Sequence, residues 1–171
     1  SRLNQLTTRN SAAYKGVMAL ILKNHCKDFI SGSEMDFASY VGEATDIHHI
    51  FPANYCEQQK IDIKRWNSVI NKTPIYARTN RIIGGYAPTK YLSSIERNHG
   101  VNTADLNNYL ESHLIDVEAI RRDDFDTYFQ NRANAIYDLI KTATGKPVAG
   151  RENNDTDLND EVVTEEQEIF L

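Results

Sequence analysis

Residues 123–145 place the strongest constraint on how this chain of 171 residues can fold. Their apolar side chains recur at intervals of three and four, the spacing of one face of an α-helix. The residues of this face are Phe125, Tyr128, Phe129, Ala133, Ile136, Tyr137 and Ile140. Such a stripe is stable only when another layer of protein covers it. The sequence therefore predicts a helix over 123–145 that packs on the body of a globular domain.

Shorter elements are predicted before this helix. Further helices are expected over about 11–27, 55–59, 88–97 and 104–114, with Thr103 capping the last of these. Residues 46–52 and 69–76 carry β-branched and aromatic side chains that suit two short strands. Asn80 then begins a turn or helix that runs into Gly84 and Gly85. We expect an α+β fold, mostly helical, in which a short β-hairpin and a helix are embedded in a helical domain.

The charge distribution divides the chain into unequal parts. Residues 151–171 contain eight acidic side chains and one basic side chain, Arg151. This tail carries −7, so residues 1–150 carry +2 of the net −5, which permits phosphate binding. With almost no aromatic residues, the tail cannot bury enough surface to fold. We expect a linker at 1–9 from a missing N-terminal region, a domain at 10–145, and an acidic disordered tail at 146–171.

Two absences point to the cytoplasm. No apolar run approaches the ~20 residues of a membrane span, and no signal-peptide pattern opens the sequence. The two cysteines, Cys26 and Cys56, lack a CxxC pairing, which suits a reducing compartment. One cysteine beside two histidines, with no fourth ligand, makes a poor structural zinc site. A cytoplasmic protein with no membrane partner is expected.

Two adjacent histidines, His48 and His49, are the main candidates for a catalytic role. Phosphodiester hydrolysis needs a base for water and a cation that relieves negative charge. Adjacent side chains on a strand diverge, so one imidazole can bind a metal ion while the other accepts a proton. Two histidines at a strand end also occur for packing or solubility. The pair alone does not decide between these interpretations.

Other polar residues near the pair are candidates for the same site. Asp46 lies two residues before His48, so on a strand it shares the same face. It could bind the metal, orient a ligand, or be a solvated carboxylate. Lys72, Arg78 and Lys90 are candidates for a DNA-phosphate track, although exposed lysine and arginine side chains are common on any surface.

Residues 46–52, followed by Asn71 and by Asn80 with Arg81, resemble the signature of HNH nucleases. The nine-residue interval between the asparagines is similar to that in the HNH domain of RNA-guided DNA-cutting enzymes. A longer set of segments resembles a narrower group, the C-terminal HNH domain of GmrSD-type bacterial restriction proteins. These segments are residues 46–52, 67–75, 78–92, 112–116 and 123–125. Those proteins carry an N-terminal ParB-like nucleotidase domain. The resemblance covers most of residues 10–145.

The resemblance implies a role for each matching residue. His49 would be the general base, and His48 would be the first metal ligand. Asn80, at the start of the α element of a ββα-metal core, would be the second ligand. Asn71 would tie its loop to the His49 backbone, and Arg81 would contact a phosphate. Many HNH sites have histidine where this chain has Asn80, and asparagine favours Mg²⁺ over zinc. One divalent ion is implied, Mg²⁺ foremost, with Mn²⁺ or Ni²⁺ able to substitute.

The expected function is a metal-dependent DNA endonuclease that acts against foreign or phage DNA. DNA and an N-terminal nucleotidase or sensor domain are its expected partners. One alternative is a catalytically weak module of the same fold that binds DNA or protein and is indifferent to metal. Another is a ribonuclease effector, which would prefer structured RNA to plasmid DNA.

Overall fold

The computed structural model describes residue 3, residues 11–42 and residues 45–145. Its helices are α1 (Ala12–Lys23), α2 (Phe37–Val41), α3 (Ala53–Gln58), α4 (Ile63–Trp66), α5 (Ala77–Ile83), α6 (Pro88–Asn98), α7 (Thr103–Ser112), α8 (Val117–Ile120) and α9 (Phe125–Thr144). Its strands are β1 (Thr45–His49) and β2 (Lys72–Tyr76). The fold is α+β and mostly helical, which confirms the predicted fold class. The predicted tail and the predicted linker lie outside the described residues, except Leu3, which is buried in the core.

Helix α9 forms the long layer that the sequence predicts. Asp124 caps its first turn by accepting a hydrogen bond from the Thr127 amide at 3.1 Å, and Gly145 ends it in a left-handed conformation. Five members of the predicted apolar face are buried, and Tyr137 and Ile140 pack at its margin. Among the residues that the structure describes, no helix is long and apolar enough to cross a membrane.

Some predicted boundaries are wrong for local reasons. Helix α1 ends at Lys23 rather than near residue 27, because His25 has a φ of 59° that a right-handed helix cannot continue through. The cap of α7 is Asn102, whose side chain accepts from the Asp105 amide, while the predicted cap Thr103 is already helical. Either polar residue can serve as a cap, and position alone did not separate them.

The two strands and α5 form one compact unit. Strands β1 and β2 pair antiparallel, with His48 opposite Thr73 and His49 opposite Lys72. The second predicted strand is shortened, because its first residues form a 3₁₀ turn, Val69–Asn71. Helix α5 follows β2 directly and packs on both strands. It begins at Ala77, so Asn80 lies inside this helix rather than at its start.

A buried arginine, Arg132, joins α9 to this unit. Its guanidinium is fully buried and donates from Nε to the His113 carbonyl at 3.0 Å. Nη1 donates to the carbonyl of Lys72 at 2.9 Å and to that of Ile70. These bonds place the charge among carbonyl dipoles and fix the chain on either side of Asn71.

We expect Arg132→Met to destabilise the fold by about 3 kcal/mol, because it leaves buried carbonyl oxygens without donors. Urea denaturation followed by circular dichroism measures this loss. Arg97→Met, on the exposed face of α6, is the matched control and should change stability little. A loss for Arg132→Met no larger than that of the control would contradict the anchoring role.

Candidate active site

A cluster of three polar side chains forms where β1 meets α5. We call Asp46, His48 and Asn80 the metal cluster, after the ligand role that the sequence predicts for them. His48 Nδ1 lies 3.0 Å from Asn80 Oδ1. Asn80 Nδ2 donates to Asp46 Oδ2 at 3.2 Å. Asp46 and Asn80 are partly exposed, whereas His48 is 2% exposed. The structure thus brings together all three residues that the sequence predicts as metal ligands.

Asp28 positions the helix that carries Asn80, and sequence analysis missed it. This carboxylate is fully buried and accepts from the Tyr76 amide at 3.0 Å and from the Thr79 hydroxyl at 2.8 Å. It also accepts a hydrogen bond from the backbone N–H of Ile30, in its own turn. Because Asp28 holds the residues at the start of α5, it fixes the direction in which Asn80 points. Nothing in the sequence around Asp28 signals these distant partners.

The surroundings of His48 keep its imidazole neutral. Burial, together with the nearby His49, lowers the pKa of His48 to about 3. Two aromatic rings pack edge-on against the imidazole: the centroids of the Phe29 and Tyr91 rings lie 6.0 and 5.8 Å from that of His48. Its Nε2 is buried and has no hydrogen-bond partner among the described residues. A neutral imidazole is the form that binds a metal ion. In its hydrogen bond with Asn80 Oδ1, His48 Nδ1 carries the hydrogen, so Nδ1 would present a lone pair to an ion only after the ring changed to the Nε2–H tautomer.

The donor set of the metal cluster fits a hard divalent ion. Adjacent ligands of an octahedral ion with bonds of about 2.1 Å lie about 3.0 Å apart. The 3.0 Å between His48 Nδ1 and Asn80 Oδ1 is a hydrogen-bond distance, and it also equals that separation. One imidazole, one amide oxygen and one carboxylate suit Mg²⁺ or Mn²⁺ better than zinc. Across the described residues, no group of three or more His, Cys, Asp or Glu is placed to hold a metal, so this set depends on the Asn80 amide.

His49 points away from the metal cluster and into a second environment. Its Nε2 lies 3.0 Å from Asn67 Oδ1, and its ring meets the Trp66 ring edge-on at 5.6 Å between centroids. The imidazole is half-buried. Burial lowers the pKa of His49, and the hydrogen bond to Asn67 opposes that shift. The neutral ring that results can accept a proton.

Asn71 is a structural residue, but its partner differs from the predicted one. Its side chain is fully buried, accepts from the Phe51 amide at 2.9 Å and donates to the Phe51 carbonyl at 2.9 Å. It also donates to the Trp66 carbonyl at 2.8 Å. The tie is thus to Phe51 rather than to the His49 backbone, because β1 ends at His49 and the chain turns before it meets Asn71.

Of the four basic residues predicted to contact DNA, two share a face beside the metal cluster. Arg78 and Arg81 are exposed, one turn apart on α5, and neither forms an ion pair with another described residue. Lys90 is exposed in a shallow groove of α6 that no residue of the metal cluster lines. The DNA contact predicted for Lys72 is contradicted, since its side chain is 4% exposed and its ammonium lies over the Tyr14 ring.

Comparison with known proteins finds similarity to an uncharacterized protein of Methanocaldococcus jannaschii. The two sequences are 32% identical over 123 residues, which are 68% of this chain and 20% of the archaeal protein. This chain therefore spans about a fifth of the length of the curated relative that it matches. No protein-family model matches the chain. No solved structure matches it either.

Proposed function

We propose that residues 10–145 form a metal-dependent DNA endonuclease domain of the HNH type. One observation carries the proposal: the adjacent histidines serve two different environments, His48 facing Asn80 and His49 facing Asn67. A metal ligand and a general base on opposite sides of a phosphate require this arrangement. The resemblance of the sequence to HNH domains of GmrSD-type proteins supports the same conclusion.

In this proposal His49 activates the attacking water. The water's O–H bond breaks, its proton passes to Nδ1 of His49, and its oxygen forms a new bond to phosphorus. The bond from phosphorus to the 3′-oxygen breaks, and that oxygen leaves with the electron pair and takes a proton from solvent. When bound by Asp46, His48 and Asn80, a divalent ion supplies positive charge that stabilises the phosphate and the leaving oxygen. The expected products carry 5′-phosphate and 3′-hydroxyl ends.

We further propose that this domain acts in defence against foreign or phage DNA, as part of a longer protein. An N-terminal nucleotidase or sensor domain would choose the target, because nothing in the described residues is built as a base-reading helix. Two observations support this larger setting: the resemblance to GmrSD-type proteins, and the match to one segment of a much longer archaeal relative.

A supercoiled-plasmid assay tests the proposal. We expect nicking or linearisation in Mg²⁺ and Mn²⁺, and none in EDTA, with ligatable ends on the products. Structured RNA in parallel reactions separates a DNA endonuclease from a ribonuclease effector. Cleavage that persists in EDTA, or cleavage of RNA alone, would contradict the proposal. Binding of DNA by folded protein, without cleavage in any metal, would instead favour the binding module.

The exposed face of α5 leads to a prediction about DNA affinity. We expect Arg81→Ala to weaken binding about equally for all sequences and to reduce the slope of log affinity against log salt by about one. Fluorescence anisotropy of a labelled duplex in EDTA, at several NaCl concentrations, measures both quantities. Lys141→Ala, in the last turn of α9, is the control. An unchanged salt slope for Arg81→Ala would exclude a phosphate contact.

A further inference from the structure

The hydrogen bond between His49 and Asn67 determines which ring nitrogen is available for chemistry. Asn67 Oδ1 is a carbonyl oxygen and can only accept, so His49 Nε2 carries the hydrogen across the 3.0 Å contact. In a neutral imidazole the other nitrogen, Nδ1, then holds the lone pair. Nδ1 of His49 makes no hydrogen bond to any described residue.

The contrast with His113 shows that this arrangement differs from a histidine used for packing. His113 is fully buried and both of its nitrogens are bonded, Nδ1 to the Thr73 hydroxyl at 2.6 Å and Nε2 to the Lys27 carbonyl at 2.7 Å. His49 is half-buried and is bonded at one nitrogen only. A ring held on one side and left open on the other is suited to proton transfer.

Asn67 itself lies on a rigid segment. It is the C-cap of α4 and donates its backbone N–H to the Ile63 carbonyl at 2.9 Å, and it is 9% exposed. The carbonyl just before it, that of Trp66, accepts from Asn71 Nδ2 at 2.8 Å. Both contacts hold the peptide unit between Trp66 and Asn67, so the backbone that carries the Asn67 side chain is fixed in place.

Helix α4 is in turn anchored to α9 through Arg65. The Arg65 guanidinium lies 5.1 Å from the centroids of both the Phe125 and Phe129 rings, and it pairs with Asp126 at 2.8 Å. Cation–π contacts of this kind hold the guanidinium over the aromatic faces. The long helix thus supports the short helix whose cap contacts His49.

We propose that Asn67 is the positioning residue of the general base: its side-chain oxygen holds His49 as the Nε2–H tautomer and directs the Nδ1 lone pair toward the attacking water. This inference rests on the proposed nuclease function. It extends that function to Asn67, a residue to which the resemblance assigned no role. When Nδ1 takes the proton from water, Asn67 Oδ1 continues to accept from Nε2–H and stabilises the imidazolium.

The first test reads the tautomer directly, in metal-free protein. Long-range ¹H–¹⁵N correlation spectra report which ring nitrogen carries the hydrogen, and His49→Ala assigns the His49 signals. We expect a single Nε2–H form in the wild type, a mixture of tautomers in Asn67→Ala, and a single form again in Asn67→Asp, which keeps an acceptor oxygen. An Nε2–H form that persists unmixed in Asn67→Ala would overturn the proposal.

The second test uses cleavage of plasmid DNA. We expect Asn67→Ala to lower kcat by about 10- to 100-fold with little change in KM, and Asn67→Asp to restore much of the rate. Unchanged kcat in Asn67→Ala would overturn the positioning role even if the tautomer shifts. If wild-type protein cuts no DNA, the nuclease function fails, whereas the spectra still decide whether Asn67 sets the tautomer.

The matched control is Asn24→Ala. Asn24 is also an asparagine at a helix C-cap, and its side chain donates to the Ser112 carbonyl rather than to a histidine. Asn24→Ala should lose about as much stability as Asn67→Ala, without a change in the His49 tautomer or in kcat. If Asn67→Ala does not fold, Asn67→Ser serves instead, because it keeps a small polar cap whose side chain is too short to reach His49. Equal spectra and rates for the Asn67 and Asn24 variants would contradict the proposal.

Discussion

His49→Ala is expected to slow DNA cleavage by about 10²- to 10⁴-fold, the usual contribution of a general base. In the proposed mechanism the His49 imidazole takes the proton from water, since His48 is buried and faces Asn80. Alanine removes the proposed proton acceptor and leaves the exposed arginines of α5 in place. We therefore expect kcat to fall while affinity for duplex DNA stays close to that of the wild type. Single-turnover cleavage of plasmid, with anisotropy for binding, measures the two effects separately.

Two controls make this result specific to the base. His99→Ala changes an exposed histidine at the end of α6 and should cut DNA at the wild-type rate. Circular dichroism and thermal melting of His49→Ala should show an intact fold, because the ring is half-buried and bonded to one side chain. Retention of more than about a tenth of the wild-type rate would assign proton abstraction to another group and would contradict the role of His49.

Local periodicity made the long helix predictable, while distant contacts set most of the site. The apolar face of α9 repeats within a short span of sequence, so packing and pattern agree. Asp28, by contrast, acts on Tyr76 and Thr79, 48 and 51 residues further along the chain. A buried carboxylate of this kind has the same local sequence as a solvated one. Only the assembled fold distinguishes them.

Lys72 and Asn67 also show that local sequence does not determine where a polar side chain lies. Lys72 follows Asn71 and was expected near DNA, yet β2 packs against α1 and the Lys72 ammonium lies over the Tyr14 ring. Asn67 lies in the run that resembles GmrSD-type domains but was given no role there, yet the turn after α4 brings its side chain to His49. In both cases a neighbouring element decides whether a polar side chain faces solvent, the core or another polar side chain. The proximity of His48 and Asn80 was predictable because the resemblance to HNH domains implied that both belong to one site.

Asn80→Ala is expected to raise the Mg²⁺ concentration for half-maximal cleavage by at least about 10- to 100-fold. The variant removes an amide oxygen that lies 3.0 Å from His48 Nδ1, and it also frees Asp46 from its hydrogen bond with Asn80. Calorimetric titration with Mn²⁺ measures the same loss without DNA and without cleavage. Asn134→Ala, an exposed asparagine inside α9, is the control for a helical asparagine away from the site.

Asp46→Asn tests whether Asp46 binds the ion or only orients Asn80. If Asp46 binds the ion, loss of its charge should weaken Mn²⁺ binding about as much as Asn80→Ala does, since carboxylates are the preferred ligands of hard divalent ions. If it only orients Asn80, the asparagine side chain can still pair with Asn80, and the loss should be several-fold smaller. Metal affinity unchanged in both variants would contradict a metal site at the junction of β1 and α5. The two histidines would then lack the cation that phosphodiester cleavage requires, and a module that binds DNA would be the better description of the same fold.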